Sequence, residues 1–89
     1  MKRVQAKVTG DVQGVFYRFS AKQEADKLGI KGFAKNEPDD TVLVIAEGEE
    51  DALYKFVNWI REGSPMAEVR NVEVEEDEYK GEFKDFAVR

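Results

Sequence analysis

The segment Gly10–Arg18, with the sequence GDVQGVFYR, combines residue types that could bind an anion. It lies between an alternating apolar stretch and a helical one. A strand–helix junction of this kind presents unpaired backbone N–H groups at the positive end of the helix dipole. Gly10 and Gly14 permit backbone conformations in which successive amides converge on one anion. Arg18 adds a planar guanidinium that can contact two phosphate oxygens at once.

The glycine spacing of this segment fits neither of two familiar phosphate loops. No Lys-Ser/Thr pair follows Gly14, as a Walker loop requires, and the glycine positions do not match a dinucleotide fingerprint. From spacing alone, a plain strand–helix turn with two glycines and a surface arginine is the commoner explanation.

Asn36 is a second candidate, at the predicted end of a strand and beside the turn Glu37–Asp40. An amide side chain can orient a water molecule because it donates and accepts hydrogen bonds at once. The end of this strand and the Gly10–Arg18 loop can meet at one edge of the predicted sheet. Spacing alone again favours the simpler explanation, an asparagine that starts a turn.

Histidine and cysteine are both absent from the chain. Their absence excludes a zinc site, a Ser-His or Cys-His dyad, an iron–sulfur cluster and a disulfide framework. The acidic run Glu75–Glu78 lacks the alternating ligands and the glycine of an EF-hand loop, so we expect it to be solvated. We therefore expect neither a metal nor another cofactor.

The charge balance, 14 Lys+Arg against 19 Asp+Glu for a net charge of −5, argues against a nucleic-acid partner. The longest uncharged and mostly apolar run, Thr41–Ala46, is far shorter than the ~20 residues of a membrane helix. The basic N-terminus lacks the apolar region of a signal peptide. We expect a cytoplasmic protein with no membrane partner, and the charged fraction of 37% is typical of thermophiles.

Apolar periodicity predicts the element order βαββαβ followed by a short terminal strand. The predicted elements are a strand over Val4–Val8, a helix ending at Leu28 before Gly29, a strand over Gly32–Asn36, a strand over Thr41–Glu47, a helix opened by Gly48 and closed by Gly63–Pro65, a strand over Val72–Glu75, a loop over Glu76–Gly81 and a strand over Phe86–Val88. Two helices then cover one face of an antiparallel sheet, which is the α+β, ferredoxin-like sandwich. If the other face is open, Leu43 or Ile45 is exposed there.

The loop and the downstream asparagine together resemble a known family. GDVQGVFYR followed by KGFAKN is similar to the acylphosphatase pattern G-x-V-Q-G-V-x-[FY]-R and G-[FYW]-x-x-N. The resemblance extends from Val4 to Arg89 and includes Leu28-Gly29, Gly48 and the terminal DFAVR. It implies a single acylphosphatase-like domain over residues 1–89.

The resemblance also implies an activity and its residues. The activity is hydrolysis of an acyl phosphate to a carboxylate and inorganic phosphate, without a metal. The resemblance assigns the phosphate to the backbone amides of Gln13, Gly14, Val15, Phe16, Tyr17 and Arg18. The Arg18 side chain would bind the phosphate oxygens, and Asn36 would hold the attacking water. We expect a monomer with a small-molecule acyl phosphate substrate and with phosphate or sulfate as a competitive ligand.

Three positions depart from the usual family pattern. Asp40 stands where many members have glycine, Glu37 where threonine is frequent, and Tyr17 where phenylalanine is more usual. Glu37, like Asp11, puts a carboxylate near a site for a dianion. None of these changes removes a residue that the resemblance expects to act.

Two alternatives come from other functional classes. Lys31–Ala34 (KGFA) matches the first four positions of an RNA-binding RNP1 motif, but Lys35 and Asn36 stand where phenylalanine and valine belong. A catalytically silent ferredoxin-like module for another ligand is the second alternative, because the fold alone does not define the function.

Overall fold

A computed structural model describes all residues from 1 to 89. The elements are β1 (Lys2–Asp11), α1 (Tyr17–Leu28), β2 (Lys31–Asn36), β3 (Val42–Gly48), α2 (Glu50–Glu62), β4 (Glu68–Asp77) and β5 (Phe86–Val88). Gly29 follows α1 in the left-handed conformation, with its N–H directed at the Ala25 and Asp26 carbonyls, and Gly63 ends α2. No helix is both long enough and apolar enough to cross a membrane.

The five strands form one sheet in the order β4-β1-β3-β2-β5. β1 pairs antiparallel with β3 and β4, and β2 pairs antiparallel with β3. The inward residues of β1 and β3 share one core cluster with the buried residues of both helices, so the two helices cover the same face. The predicted ferredoxin-like fold is therefore confirmed. β5 joins the sheet parallel to β2, an orientation that the sequence did not predict.

Two strands are longer than the apolar alternation predicts. β1 continues through Gly10 and Asp11, beyond a bulge at Thr9/Gly10, because these residues pair with Val69 and Glu68. β4 likewise includes Glu76 and Asp77, which the apolar pattern predicts to lie in a loop. Charged side chains are compatible with β4 because it is an edge strand whose side chains are largely exposed.

The second face of the sheet is covered in part by the connection between β4 and β5. Phe83 of this connection contacts Phe33 edge to face, with ring centroids 5.9 Å apart. Phe33 is the cross-strand neighbour of Ile45, and Ile45 is buried whereas Leu43 is half-buried. The guanidinium of Arg89 also lies over the Phe33 ring. The one aromatic of the KGFA stretch is therefore already engaged, which argues against base stacking at this position.

A buried ion pair holds the same connection in place. Arg3 and Glu47 are cross-strand partners, and their charged groups lie 3.2 Å apart. The Glu47 carboxylate also accepts hydrogen bonds from the N–H groups of Lys80 and Gly81. Burial by itself raises the pKa of Glu47, but the Lys80 amide, Arg3 and the Gly81 amide outweigh it, so the pKa lies below its ordinary value of 4.5.

We expect Glu47→Gln to lower the free energy of unfolding at pH 7 and to have a smaller effect in acid. The pKa of Glu47 is lower in the folded than in the unfolded chain. Ionised Glu47 therefore stabilises the fold above pH 4.5, and this contribution is lost as the pH falls through the folded-state pKa. The measurement is urea unfolding of both proteins between pH 7 and pH 3. Glu50→Gln, which breaks an exposed pair with Lys2, is the control with a smaller effect. A gap between wild type and Glu47→Gln that stayed constant with pH would contradict this assignment.

Candidate active site

The loop between β1 and α1 is anchored at both ends by buried side chains. Val12 and Tyr17 are each 1% exposed. Between them, Gly14 has φ 72° and Phe16 has φ 61°, so both residues lie in the left-handed region. Glycine adopts this region readily, whereas a bulky side chain such as Phe16 adopts it at a cost. Two left-handed residues thus bend the loop immediately before α1 begins at Tyr17.

This loop carries a run of backbone N–H groups without partners in the protein. The N–H groups of residues 13–16 donate no backbone or side-chain hydrogen bond. Those of residues 17–19 lie in the first turn of α1, where no carbonyl one turn earlier is available. The first paired amide is that of Ser20, which donates to the Phe16 carbonyl at 2.9 Å. The run from 13 to 19 can therefore donate several hydrogen bonds to an anion.

The side chain of Gln13 ties this loop to the turn between β2 and β3. Its Nε2 donates to the backbone carbonyls of Glu37 and Thr41, each at 2.9 Å. Glu37 directly follows Asn36, so one amide group fixes the loop against the segment that carries the second candidate residue. The resemblance assigns a role only to the backbone of Gln13, and the glutamine of the VQGV motif is the sequence signal that points to its side chain.

Asn36 ends β2 on the face that the helices cover. It pairs with Val42 of the core and follows two residues after Ala34, which is fully buried. Its side-chain Oδ1 is buried and has no hydrogen-bond partner in the protein. A buried amide oxygen without a partner is unfavourable unless a water molecule or a ligand satisfies it. Asn36 therefore has a free acceptor on the loop side of the sheet.

Arg18 lies in the first turn of α1 and reaches the end of β5. Its guanidinium donates to the backbone oxygen of Arg89, and the Arg89 N–H in turn donates to the carbonyl of Ala34 in β2. Ala34 precedes Asn36 by two residues. Gln13 thus contacts the chain directly after Asn36, and Arg18 is connected through Arg89 to Ala34 just before it, so the structure brings the predicted site residues into one region. The contact with Arg89 was not predicted, because it joins residues 71 positions apart.

Tyr17 fixes the start of α1 against the end of α2. Its hydroxyl donates to the carbonyl of Ile60 at 2.9 Å, and its ring stacks on Trp59 with centroids 5.6 Å apart. The last carbonyls of a helix have no partner within the helix, so this hydroxyl satisfies one of them. Burial raises the pKa of Tyr17. A phenylalanine at this position could not make the hydrogen bond, which gives the departure from the family pattern a structural role.

The other unusual residues are accommodated without blocking the loop. Asp40 has φ 70° at the turn position where the acylphosphatase pattern often has glycine, and aspartate tolerates this conformation better than most residues. The Asp11 carboxylate is paired with Arg70 at 3.2 Å. Glu37 forms no ion pair, and only its backbone takes part in the turn.

Gly10 lies in β1 and not in the loop before α1, contrary to the prediction from the sequence. It lies at the bulge of β1, where a Cβ would come within 2.0 Å of the Glu68 carbonyl oxygen. This glycine allows close approach of β1 and β4. Of the two glycines singled out in the sequence, only Gly14 shapes the loop.

Two cavities are lined by residues of this loop, one of about 210 Å³ and one of about 660 Å³. The smaller is lined by Val12, Gly14, Phe16, Tyr17, Arg18, Phe19 and Val88. The larger one includes Asp11, Asp39 and Asp40 together with Arg70 in its lining, and a further cavity of about 420 Å³ includes Glu37 and Asp39. Carboxylates disfavour a dianion, so the smaller cavity beside Arg18 is the better site for phosphate.

Comparison with known proteins identifies the family. The acylphosphatase family model matches residues 4–88. The chain belongs to the acylphosphatase family. An acylphosphatase from Pyrobaculum aerophilum is 46% identical over 89 residues, covering 99% of this chain and 94% of the relative. An acylphosphatase from Methylococcus capsulatus is 44% identical, covering 99% of this chain and 96% of the relative.

A solved acylphosphatase also has the same fold. The crystal structure of the acylphosphatase from Bacillus subtilis superposes with a TM-score of 0.95 at 36% identity, over 100% of this chain and 99% of the other. The family membership predicted from the loop and the downstream asparagine is therefore confirmed.

We expect Gln13→Met to lower the free energy of unfolding by about 1–2 kcal/mol, because methionine has a similar length but cannot donate the two hydrogen bonds. Gln23→Met, at an exposed position of α1, is the matched control and should change stability by less than about 0.5 kcal/mol. Urea unfolding of the two variants provides the comparison. Equal stabilities would mean that the hydrogen bonds of Gln13 do not hold the loop to the turn.

Proposed function

We propose that this chain hydrolyses the carboxyl-phosphate bond of acyl phosphates at the loop between β1 and α1. The backbone N–H groups of residues 13–18 and the guanidinium of Arg18 bind the phosphate, and Asn36 positions the attacking water. The observation that carries this proposal is the run of unpaired amides at the start of α1, held by Gln13 next to Asn36.

Binding of the phosphate rests on donors that are already in place. The amides of the loop and the N-terminal end of α1 provide a region of positive potential for the non-bridging oxygens. Arg18 adds a full positive charge with fork geometry. Phosphoryl transfer demands mainly positioning and stabilisation of charge on the transferred group, so fixed donors of this kind are well suited to it.

The water step follows from the free acceptor on Asn36. A water that donates one hydrogen to Oδ1 is held with a lone pair available for attack on phosphorus. Its oxygen forms the new bond to phosphorus while the bond from phosphorus to the acyl oxygen breaks. The electron pair of that bond leaves with the carboxylate, and the proton of the water passes to the phosphate oxygens. The products are a carboxylate and inorganic phosphate.

The nature of the leaving group explains why few catalytic side chains suffice. A carboxylate, with a conjugate-acid pKa of about 4, leaves without protonation at neutral pH. An alkoxide would need a general acid, and the chain contains no histidine to serve as one. The site therefore favours acyl phosphates over ordinary phosphate monoesters.

The proposed site also predicts which anions compete with the substrate, whether a cofactor is needed and how many copies of the chain act together. Inorganic phosphate and sulfate compete with the substrate because they fit the same donors. Charge stabilisation comes from Arg18 and the loop amides, so the proposed reaction requires neither a metal nor an organic cofactor. A single copy of the chain carries every residue in the scheme, which supports action as a monomer.

The roles of Arg18 and Asn36 differ, and their variants should differ in the same way. Arg18 contacts phosphate before and during reaction, so Arg18→Ala should raise KM and the Ki of phosphate and lower kcat. Arg18→Lys should not restore activity, because a point charge lacks the bidentate fork. Asn36→Ala should lower kcat by about 100-fold or more but leave the Ki of phosphate close to wild type. The measurement is benzoyl phosphate hydrolysis in EDTA, with phosphate as inhibitor.

Arg61→Ala and Asn58→Ala, at exposed positions of α2, remove the same chemical groups elsewhere and should retain wild-type kinetics. The water-positioning role would be wrong if Asn36→Ala kept its kcat or lost phosphate affinity as strongly as Arg18→Ala. Loss of wild-type activity in EDTA, with recovery on adding magnesium, would contradict a reaction without metal.

A further inference from the structure

Exposed apolar side chains line the cavity beside Arg18. Phe16 is 69% exposed, Phe19 is 54% exposed and Val88 is 41% exposed. All three line the 210 Å³ cavity that also contains Gly14 and Arg18. They come from three parts of the fold: the loop, the first turn of α1 and the last residue of β5. In a chain with 37% charged residues, a surface that only contacts water would favour charged side chains at these positions.

The backbone holds Phe16 in this exposed position at a cost. Its φ of 61° and ψ of 20° lie in the left-handed region, which is unfavourable for a bulky side chain. Burial does not offset that cost, since most of the ring is exposed. Strained residues of this kind occur preferentially at functional sites. The side chain at this position is therefore presented outward, next to the amides that face the phosphate.

The lining of this cavity combines polar and apolar groups. Arg18 and the backbone of Gly14 supply polar groups, whereas Phe16, Phe19 and Val88 supply exposed apolar side chains. An acyl phosphate has the same division, a dianionic phosphate joined to the carbon skeleton of the acyl group. Arg18 is the only charged residue in this lining, so no other side chain of the cavity would pair with a second charge on the substrate.

We infer that Phe16, Phe19 and Val88 bind the acyl group and make the enzyme selective for acyl phosphates with an apolar acyl group. An aromatic or branched aliphatic acyl group removes apolar surface from water when it packs against these side chains. A short acyl group leaves this surface uncovered, and an acyl group with its own charge must be desolvated against it. This inference rests on the proposed function, because it takes the phosphate to lie on the loop amides and Arg18.

The test compares benzoyl phosphate with acetyl phosphate. Both release a carboxylate whose conjugate acid has a pKa of about 4, so the ratio of their kcat/KM values reports mainly on contacts with the acyl group. We expect wild type to favour benzoyl phosphate, and Phe19→Ala to reduce the ratio by about threefold to tenfold, within the range that hydrophobic pockets discriminate. Phe19→Leu should retain more of the preference than Phe19→Ala.

Tyr54→Ala is the matched control, because Tyr54 is an aromatic residue of α2 with 71% exposure that lies outside this cavity. It should leave the ratio unchanged. The Ki values of benzylphosphonate and methylphosphonate give the same comparison without turnover. Their ratio should change with Phe19→Ala in parallel with the ratio for the substrates.

The outcomes separate the two proposals. If both substrates are hydrolysed and Phe19→Ala leaves both ratios unchanged, the acyl-binding role is wrong and the proposed function stands. If wild type hydrolyses neither substrate, the proposed function is wrong. If Tyr54→Ala reduces the ratios as much as Phe19→Ala does, the selectivity does not arise in this cavity.

Discussion

The whole site depends on one constraint. The loop between β1 and α1 leaves its amides unpaired and is nevertheless held in place by contacts with the rest of the fold. Unpaired N–H groups cost free energy wherever neither water nor a ligand satisfies them. The loop remains exposed at Gly14 and Phe16 but is fixed at Val12 and Tyr17 in the core. Gln13 adds the connection to the β2–β3 turn. Donors fixed in this way need little reorganisation when charge develops on a bound phosphate.

An acidic protein can bind an anion because the local arrangement of charges outweighs the net charge of −5. Several carboxylates already have partners: Asp11 is paired with Arg70, Glu47 with Arg3, and Asp39 with the Thr41 hydroxyl and Lys7. Arg18, in contrast, forms no ion pair with an acidic side chain, and its guanidinium donates to the main-chain oxygen of Arg89. No Asp or Glu side chain therefore competes with a bound anion for this guanidinium.

The sequence predicts the fold well where local pattern decides it and poorly where pairing decides it. Alternation over Val4–Val8 and the left-handed Gly29 mark elements that form as expected. Pairing with a neighbouring strand, which leaves no local signal, places Gly10 and Glu76 in strands and orients β5 parallel to β2. At the site, the motif predicts the positions of the loop and the asparagine. The Gln13 and Arg18 side-chain contacts depend on how distant segments pack.

The most direct test of the account is a titration with inorganic phosphate followed by the backbone and side-chain amide resonances in nitrogen–proton NMR spectra. We expect the largest shifts to fall on the amides of residues 13–19, and we expect the Asn36 side chain to respond as well. These amides have no partner in the protein, so an anion should perturb them more than any others. Shifts centred instead on the cavity lined by Lys7, Asp39 and Leu43, or no saturable shifts, would contradict it.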